Sequence, residues 1–205
     1  MVAANPRQPA GGNERPGVSN VSELVAIQAE RQPDRVALIE PGVEARTWAQ
    51  LDAEGGQVSA GLAAHGLVAG QRVGLDGANS IAWVVAYLAV IRAGLVVVPT
   101  DPEDPVAERD ELLAACGARA LFTTRTPSVD QRVSSWELSE DGLAGLADVT
   151  VPVATPRDPE SLAVLACTLG TSGDRKIVML SHRALLANLE QVSEQEIVSP
   201  DSVIL

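Results

Sequence analysis

Short aliphatic runs bounded by turn residues recur along this chain, and most are followed by a segment whose apolar side chains return at helical spacing. The runs occupy residues 36–39, 95–98, 120–122 and 162–167, and Arg72 to Leu75 also reads as a strand. A capping signal at Asn20, with Glu23 at the third position, precedes Leu24, Val25 and Ile27 and predicts a helix ending near Arg31, before Pro33-Asp34. Thr47-Trp48 precedes a helix carrying Leu51, Val58, Leu62 and Ala63 that stops at Gly66. Asn79-Ser80 opens another, with Ile81, Val84, Val85, Leu88 and Ile91 on one face and Gly94 at its end. Pro105 opens a helix carrying Leu112, Leu113 and Cys116 that ends at Gly117. This alternation predicts an α/β fold, a layered sheet with helices on both faces. Residues 95–98 are aliphatic without a polar break, as in a central parallel strand, closed at Pro99.

Beyond that frame the pattern weakens. Residues 133–136 predict a strand and 137–146 a short helix, while Pro152, Pro156 and Pro159 mark an exposed connector. Residues 1–17 are rich in Pro, Gly and Asn, lack an apolar core, and read as a disordered amino-terminal tail rather than a signal peptide. The helical run at 81–93 is too short to span a bilayer, so a soluble, cytoplasmic chain without a transmembrane segment is expected. A net charge of -12 argues against a nucleic-acid partner, because phosphate backbones call for basic patches; a nucleotide needs only a local loop. Cys116 and Cys167 sit in apolar contexts without metal-ligand spacing and read as buried thiols of a reducing compartment.

The chemistry concentrates at residues 162–182, LAVLACTLGTSGDRKIVMLSH. An apolar run leads into a loop of small, polar and flexible residues, then Arg175-Lys176 and a second apolar run over 177–180. Ser181 then caps a helix with Ala184, Leu185, Leu189 and Val192 on one face. Gly170, Thr171, Ser172 and Gly173 offer backbone N–H groups, hydroxyls and no bulk, and Lys176 adds a point charge; together these suit phosphate oxygens. The spacing Gly170-x-x-Gly173-x-x-Lys176 is not that of a Walker A loop, and Ile177 stands where a magnesium-binding hydroxyl would be required. On composition alone, a Gly/Thr/Ser loop between strands also serves simply as a turn.

The same stretch resembles the signature loop of the adenylate-forming enzymes, the AMP-binding superfamily of acyl-CoA synthetases, acyl-AMP ligases, luciferases and peptide-synthetase adenylation domains. Their pattern is Thr-Ser-Gly-Thr/Ser-Thr/Ser-Gly-x-Pro-Lys-Gly-Val-x-Leu-Ser-His. This chain supplies Thr168, Gly170, Thr171, Ser172, Gly173, Lys176, Val178, Leu180, Ser181 and His182 in register, and departs at Leu169, Arg175 and Ile177. Weaker likenesses follow in the family's order: the segments beginning Arg31-Gln32-Pro33-Asp34, Thr47-Trp48-Ala49-Gln50-Leu51, Gly70-Gln71-Arg72-Val73, Asn79-Ser80, and Val98-Pro99-Thr100-Asp101-Pro102. The resemblance covers roughly residues 20–198 and is closest to the amino-terminal part of a fatty acyl-CoA synthetase or fatty acyl-AMP ligase.

The resemblance implies that 18–205 is part of the large AMP-binding domain, incomplete at its carboxy end, with the small mobile carboxy-terminal domain absent. It implies an ATP-dependent acid-thiol ligase: a carboxylic acid, expected to be a fatty acid, attacks the α-phosphorus of ATP, and a thiol of coenzyme A or carrier-protein phosphopantetheine then takes the acyl group. Thr168, Thr171 and Ser172 would donate hydroxyls to the leaving phosphates, Gly170 and Gly173 would allow close backbone approach, and Lys176 would neutralise charge. The catalytic residues and the Mg2+ ligands are expected beyond Leu205, so this chain alone is expected to be inactive. The alternative is a degenerate or truncated noncatalytic relative, weakly binding a nucleotide or a partner. A dinucleotide oxidoreductase is excluded, since no Gly-x-Gly-x-x-Gly follows an early strand. The remaining polar residues have plainer readings. His65 caps a helix end, Ser181 caps rather than attacks, and His182 belongs to a first helical turn or neighbours phosphate. Asp101, Glu103 and Asp104 form a solvated acidic loop, and Glu190, Glu194 and Glu196 the wet face of the last helix. A strand left at a sheet edge is expected to favour self-association.

Overall fold

The computed structural model describes residues 17–128, 130, 132–147, 158–169 and 175–195. In chain order these form α1 (Glu23–Arg31), β1 (Val36–Leu38), β2 (Arg46–Thr47), α2 (Trp48–Ala64), β3 (Arg72–Asp76), α3 (Ile81–Arg92), β4 (Val96–Thr100) and α4 (Val106–Cys116). Then come β5 (Ala118–Thr123), β6 (Ser134–Glu137), α5 (Glu140–Ala147), β7 (Leu162–Leu169), β8 (Arg175–Ser181) and α6 (His182–Glu194). Six strands make one sheet in the order β6-β5-β3-β4-β7-β8, while β1 and β2 pair separately. All neighbours in the large sheet run parallel except β7 and β8, which form an antiparallel pair.

The pleat sorts alternate residues to opposite faces. Val73, Leu75, Val97, Ala120 and Phe122 pack with Leu51, Val58 and Leu62 of α2, the apolar side of α3, and Leu143 and Leu146 of α5. Val96, Val98, Leu121 and Leu165 turn the other way, onto Leu112, Leu113 and Cys116 of α4. Helices therefore cover both faces, which is why β4 opens on an unbroken aliphatic run at 96–98. Gly74 is the concession to α4: a Cβ there would lie 2.6 Å from Leu113 Cδ2. Three helix starts are set by side chains named in the sequence. Thr47 and Gln50 form a reciprocal capping box, and Ser80 and Ser181 accept from Trp83 N and Ala184 N. His65 closes α2 with its ring Nδ1 2.9 Å from Gly61 O, and Gly117 ends α4 in the left-handed conformation.

Several boundaries differ from expectation. Ser22, not Asn20, is the N-cap of α1; Asn20 is buried, donating to Ile91 O (3.2 Å) and accepting from Ser22 N and Oγ (2.9 and 2.8 Å). A buried amide is satisfied better by joining two helices than by capping one. Strand β4 continues through Pro99 to Thr100, because a proline removes one donor while Leu75↔Pro99 and Asp76↔Thr100 keep the register with β3. The fifth helix starts at Glu140 rather than 137: Leu138 N still donates to Thr123 O, and Ser139 Oγ accepts from Gly142 N. Cys167 is half-buried where Cys116 is buried, and both are free. On α6 Leu185 packs against the core, but Leu189 is exposed and Glu190 half-buried. Residues 1–16, Pro152, Pro156, Glu196 and 201–205 lie outside the described residues. No helix among the described residues is long and apolar enough to cross a membrane.

Candidate functional site

Parallel strands bring their carboxyl ends to one edge, and the candidate site lies there. Asp76 ends β3, Thr100 ends β4 and Thr123 ends β5, with Asp76 in register with both. Strand β7 pairs with β4 through Val97↔Val164. Thr168 and Leu169 are the last residues of β7. Strand β8 returns antiparallel, with Thr168↔Lys176 and Leu169↔Arg175 at the open end of the hairpin.

Of the residues singled out from sequence, the hairpin brings Thr168 and Lys176 directly opposite each other, and Lys176 is exposed. Gly170, Thr171, Ser172 and Gly173, between those two in sequence, lie outside the described residues. The departures Leu169 and Arg175 also face each other in the register. His182 does not stand with the loop. It is buried in the first turn of α6, where Nδ1 accepts from Val21 N (3.4 Å) and Nε2 lies 3.5 Å from Asn20 Nδ2. Burial lowers its pKa, only partly opposed by Glu23 and Asp158. Asp101 and Glu103 are exposed, but Asp104 of the same acidic loop is half-buried and its carbonyl accepts from Arg125 Nη1 (2.6 Å). Among the described residues no group of three or more His, Cys, Asp or Glu could hold a metal ion.

Sequence reasoning missed the most densely bonded buried carboxylate on this edge. Asp76 has no exposed side-chain surface. Its Oδ1 accepts from Arg125 Nη2 (2.7 Å) and Thr100 Oγ1 (3.0 Å). Its Oδ2 accepts from Thr123 Oγ1 (2.7 Å), Arg109 Nη1 (2.9 Å) and Arg125 Nε (3.1 Å). Burial alone would raise its pKa; hydrogen bonds from Arg125, Thr123, Arg109 and Thr100 outweigh it and hold the carboxyl at about 2. Arg109, itself fully buried, also pairs with Asp110 and donates to Thr126 O (2.9 Å). One signal was present: Arg109 shares a helical stripe with Leu112, Leu113 and Cys116, where an unpaired charge would not be tolerated.

This cluster fills the topological switch point. The chain leaves β3 for α3 on one face and β4 for α4 on the other, and the crevice between such diverging loops is where open α/β sheets commonly take ligands. Here it holds protein charge.

Residues 25–205 match the family described as AMP-binding enzyme. Phosphinothricin tripeptide synthetase PhsC of Streptomyces viridochromogenes is 34% identical over 184 residues, which is 86% of this chain and 17% of the synthetase. The Klebsiella oxytoca NpsA N-terminal subdomain, solved in complex with 3-hydroxyanthranilyl-AMSN, is 26% identical with a TM-score of 0.67, over 81% of this chain and 41% of that one. The L. pneumophila fatty acyl-adenylate ligase, solved with acyl adenylate and pyrophosphate, has a TM-score of 0.76 at 21% identity, over 90% of this chain and 34% of that one. That last likeness is one of fold. The chain thus spans about a sixth of the curated synthetase and about two-fifths of the NpsA subdomain.

Proposed function

The chain belongs to the AMP-binding enzyme family, and from that premise we propose that it forms part of the large domain of an acid-thiol ligase. In the complete enzyme a carboxylate oxygen attacks the α-phosphorus of ATP, the bond to the β-phosphate bridging oxygen breaks, and pyrophosphate leaves. A thiol then displaces AMP from the acyl-adenylate. The observation that carries this reading is the β7–β8 register, which sets Thr168 opposite Lys176 on either side of the Gly/Thr/Ser sequence. Thr168, Thr171 and Ser172 would donate hydroxyls, Gly170 and Gly173 would admit phosphate close to backbone N–H groups, and Lys176 would offset the charge of the departing pyrophosphate. This donor set is cationic and hydrogen-bonding, which fits phosphate oxygens. It contains no carboxylate, so no step here is routed through Mg2+.

For the acid we assign an amino acid, and for the thiol carrier-protein phosphopantetheine, because the relatives matched by sequence include a peptide synthetase at 34% identity. A fatty acid with coenzyme A is the alternative drawn from the motif, and its structural support is likeness of fold. A noncatalytic relative is the second reading, favoured by Leu169, Arg175 and Ile177 in the signature loop. In the ligase reading residues 18–205 would be a partial large domain, its catalytic groups supplied by other parts of the enzyme.

ATP–pyrophosphate exchange decides among these. It should be measured with panels of amino acids, aryl acids and fatty acids, on this chain and on the longest product its gene encodes. Exchange in the long product with one acid class, reduced at least about a hundredfold by Lys176→Ala, is the expected result. No exchange with any acid leaves the noncatalytic reading.

A further inference from the structure

Asp76 and its two arginines take no part in the chemistry proposed above. The side chains of Asp76 and Arg109 are fully buried and that of Arg125 is 23% exposed. Apolar residues of similar volume commonly stabilise a core as well as a buried ion cluster does, so stability alone does not account for this one. Its geometry does more. Through one carboxylate it ties the ends of β4 and β5 (Thr100, Thr123) to that of β3. Through the guanidinium groups it ties α4 and the loops that leave β4 and β5, because Arg125 Nη1 donates to Asp104 O (2.6 Å) and Arg109 Nη1 to Thr126 O (2.9 Å). Thr100 ends β4, the strand that pairs with β7 at Val97↔Val164, and β7 runs on to Thr168 at the root of the signature hairpin.

We propose that Asp76 is a positioning residue for nucleotide binding: through Thr100 it fixes the carboxyl end of β4 and thereby sets the root of the β7–β8 hairpin. The proposal rests on the adenylating reading for its functional consequence, but its structural half stands without it. The switch-point crevice, filled by the cluster, is a brace; the nucleotide is left to the hairpin beside it.

Thr100→Val tests this most directly, since it deletes the hydroxyl link and leaves both arginines paired with Asp76. Asp76→Asn removes the centre of the brace. Leu62→Ala, in the core of α2 against the opposite face, is a control chosen to lower thermal stability by a similar amount. Amide hydrogen exchange on this chain reads residues 167–169 and 175–177, and ATP–pyrophosphate exchange on the longest gene product reads KM for ATP against kcat. Thr100→Val is expected to speed exchange at the hairpin root and raise KM for ATP, each by about tenfold, with a smaller change in kcat. Leu62→Ala is expected to do neither. The proposal is overturned if Thr100→Val leaves hairpin exchange unchanged, or if Leu62→Ala at matched stability reproduces both effects. If the wild-type product supports no exchange with any acid, the adenylating reading fails, while hydrogen exchange still decides the brace. If Asp76→Asn does not fold, Thr100→Val decides alone.

Discussion

Acidification should unload Asp76 in a window set by its own bonds. Its carboxyl sits at about 2 in the folded chain against an ordinary 3.8, so between those values the unfolded chain holds more protons and folding loses stability as pH falls. The contribution is fully present above about pH 5, about half gone by pH 3, and lost as pH passes through 2. At 1.36 kcal/mol per pH unit it amounts to roughly 2 kcal/mol. Asp76→Asn removes the titrating group and takes from buried Arg109 one of its two carboxylate partners, leaving Asp110, a loss of about 3 kcal/mol near neutrality. Urea midpoints for both proteins at pH 7, 5, 4 and 3 measure the gap between them. That gap should be constant from pH 7 to 5 and narrow by about 1 kcal/mol at pH 3. A gap that is the same at pH 3 as at pH 7, or wider, refutes the assignment of a charged, multiply bonded carboxylate to this position.

His182 should impose a separate dependence. Its pKa is lowered by burial, so stability falls with pH below about 6.5 and should fall less in His182→Gln, compared by urea midpoints at pH 7.5 and 5.5. Two glycines of α2 should respond with opposite signs. A Cβ at Gly61 would lie 2.2 Å from Leu146 O, so Gly61→Ala should cost about 1–3 kcal/mol, whereas Gly55 has 3.8 Å to Leu88 Cβ and Gly55→Ala should gain about 0.5–1 kcal/mol in the same melts. Strand β8 is an edge with Met179 73% exposed beside Ile177 and Val178; concentration-dependent association of this chain in sedimentation should be reduced by Met179→Lys, and a monomer at every concentration would remove the edge as its cause.

Much of the fold was legible because the sheet is buried on both faces. Residues 95–98 have no reason to be continuously aliphatic unless helices cover both sides, and they do. Caps were legible where a hydroxyl meets a helix start at short range, as at Ser80 and Ser181, and not where the same residue type is drawn into tertiary bonds. Asn20 looks like a cap in sequence, yet it reaches Ile91, 71 residues away, and lies beside His182, 162 residues away. The Asp76 cluster was hidden for the same reason: its arginines are 33 and 49 residues distant, and neither belongs to a local motif. The site was legible as residue types, because a glycine and hydroxyl loop followed by a lysine has a chemical meaning before any coordinates. Its neighbours across the edge were not.

The lysine spacing itself has a structural cause. A parallel connection from β7 to the next strand would need a dozen or more residues and would enter that strand from the opposite end of the sheet. Gly170-x-x-Gly173-x-x-Lys176 is too short for that, and the chain instead reverses, which is why β8 alone breaks the parallel order. Reversal is what returns Lys176 to a place opposite Thr168; in a strand of the other sense, a lysine so early would stand at the amino edge, far from the loop it follows. The antiparallel edge strand and the loop are therefore one device. Phosphate binding there requires that the hairpin keep its register, so an insertion of one residue between Lys176 and Ile177 should damage binding more than the departure at Ile177 does. It would turn Lys176 to the opposite face while leaving every residue type in place.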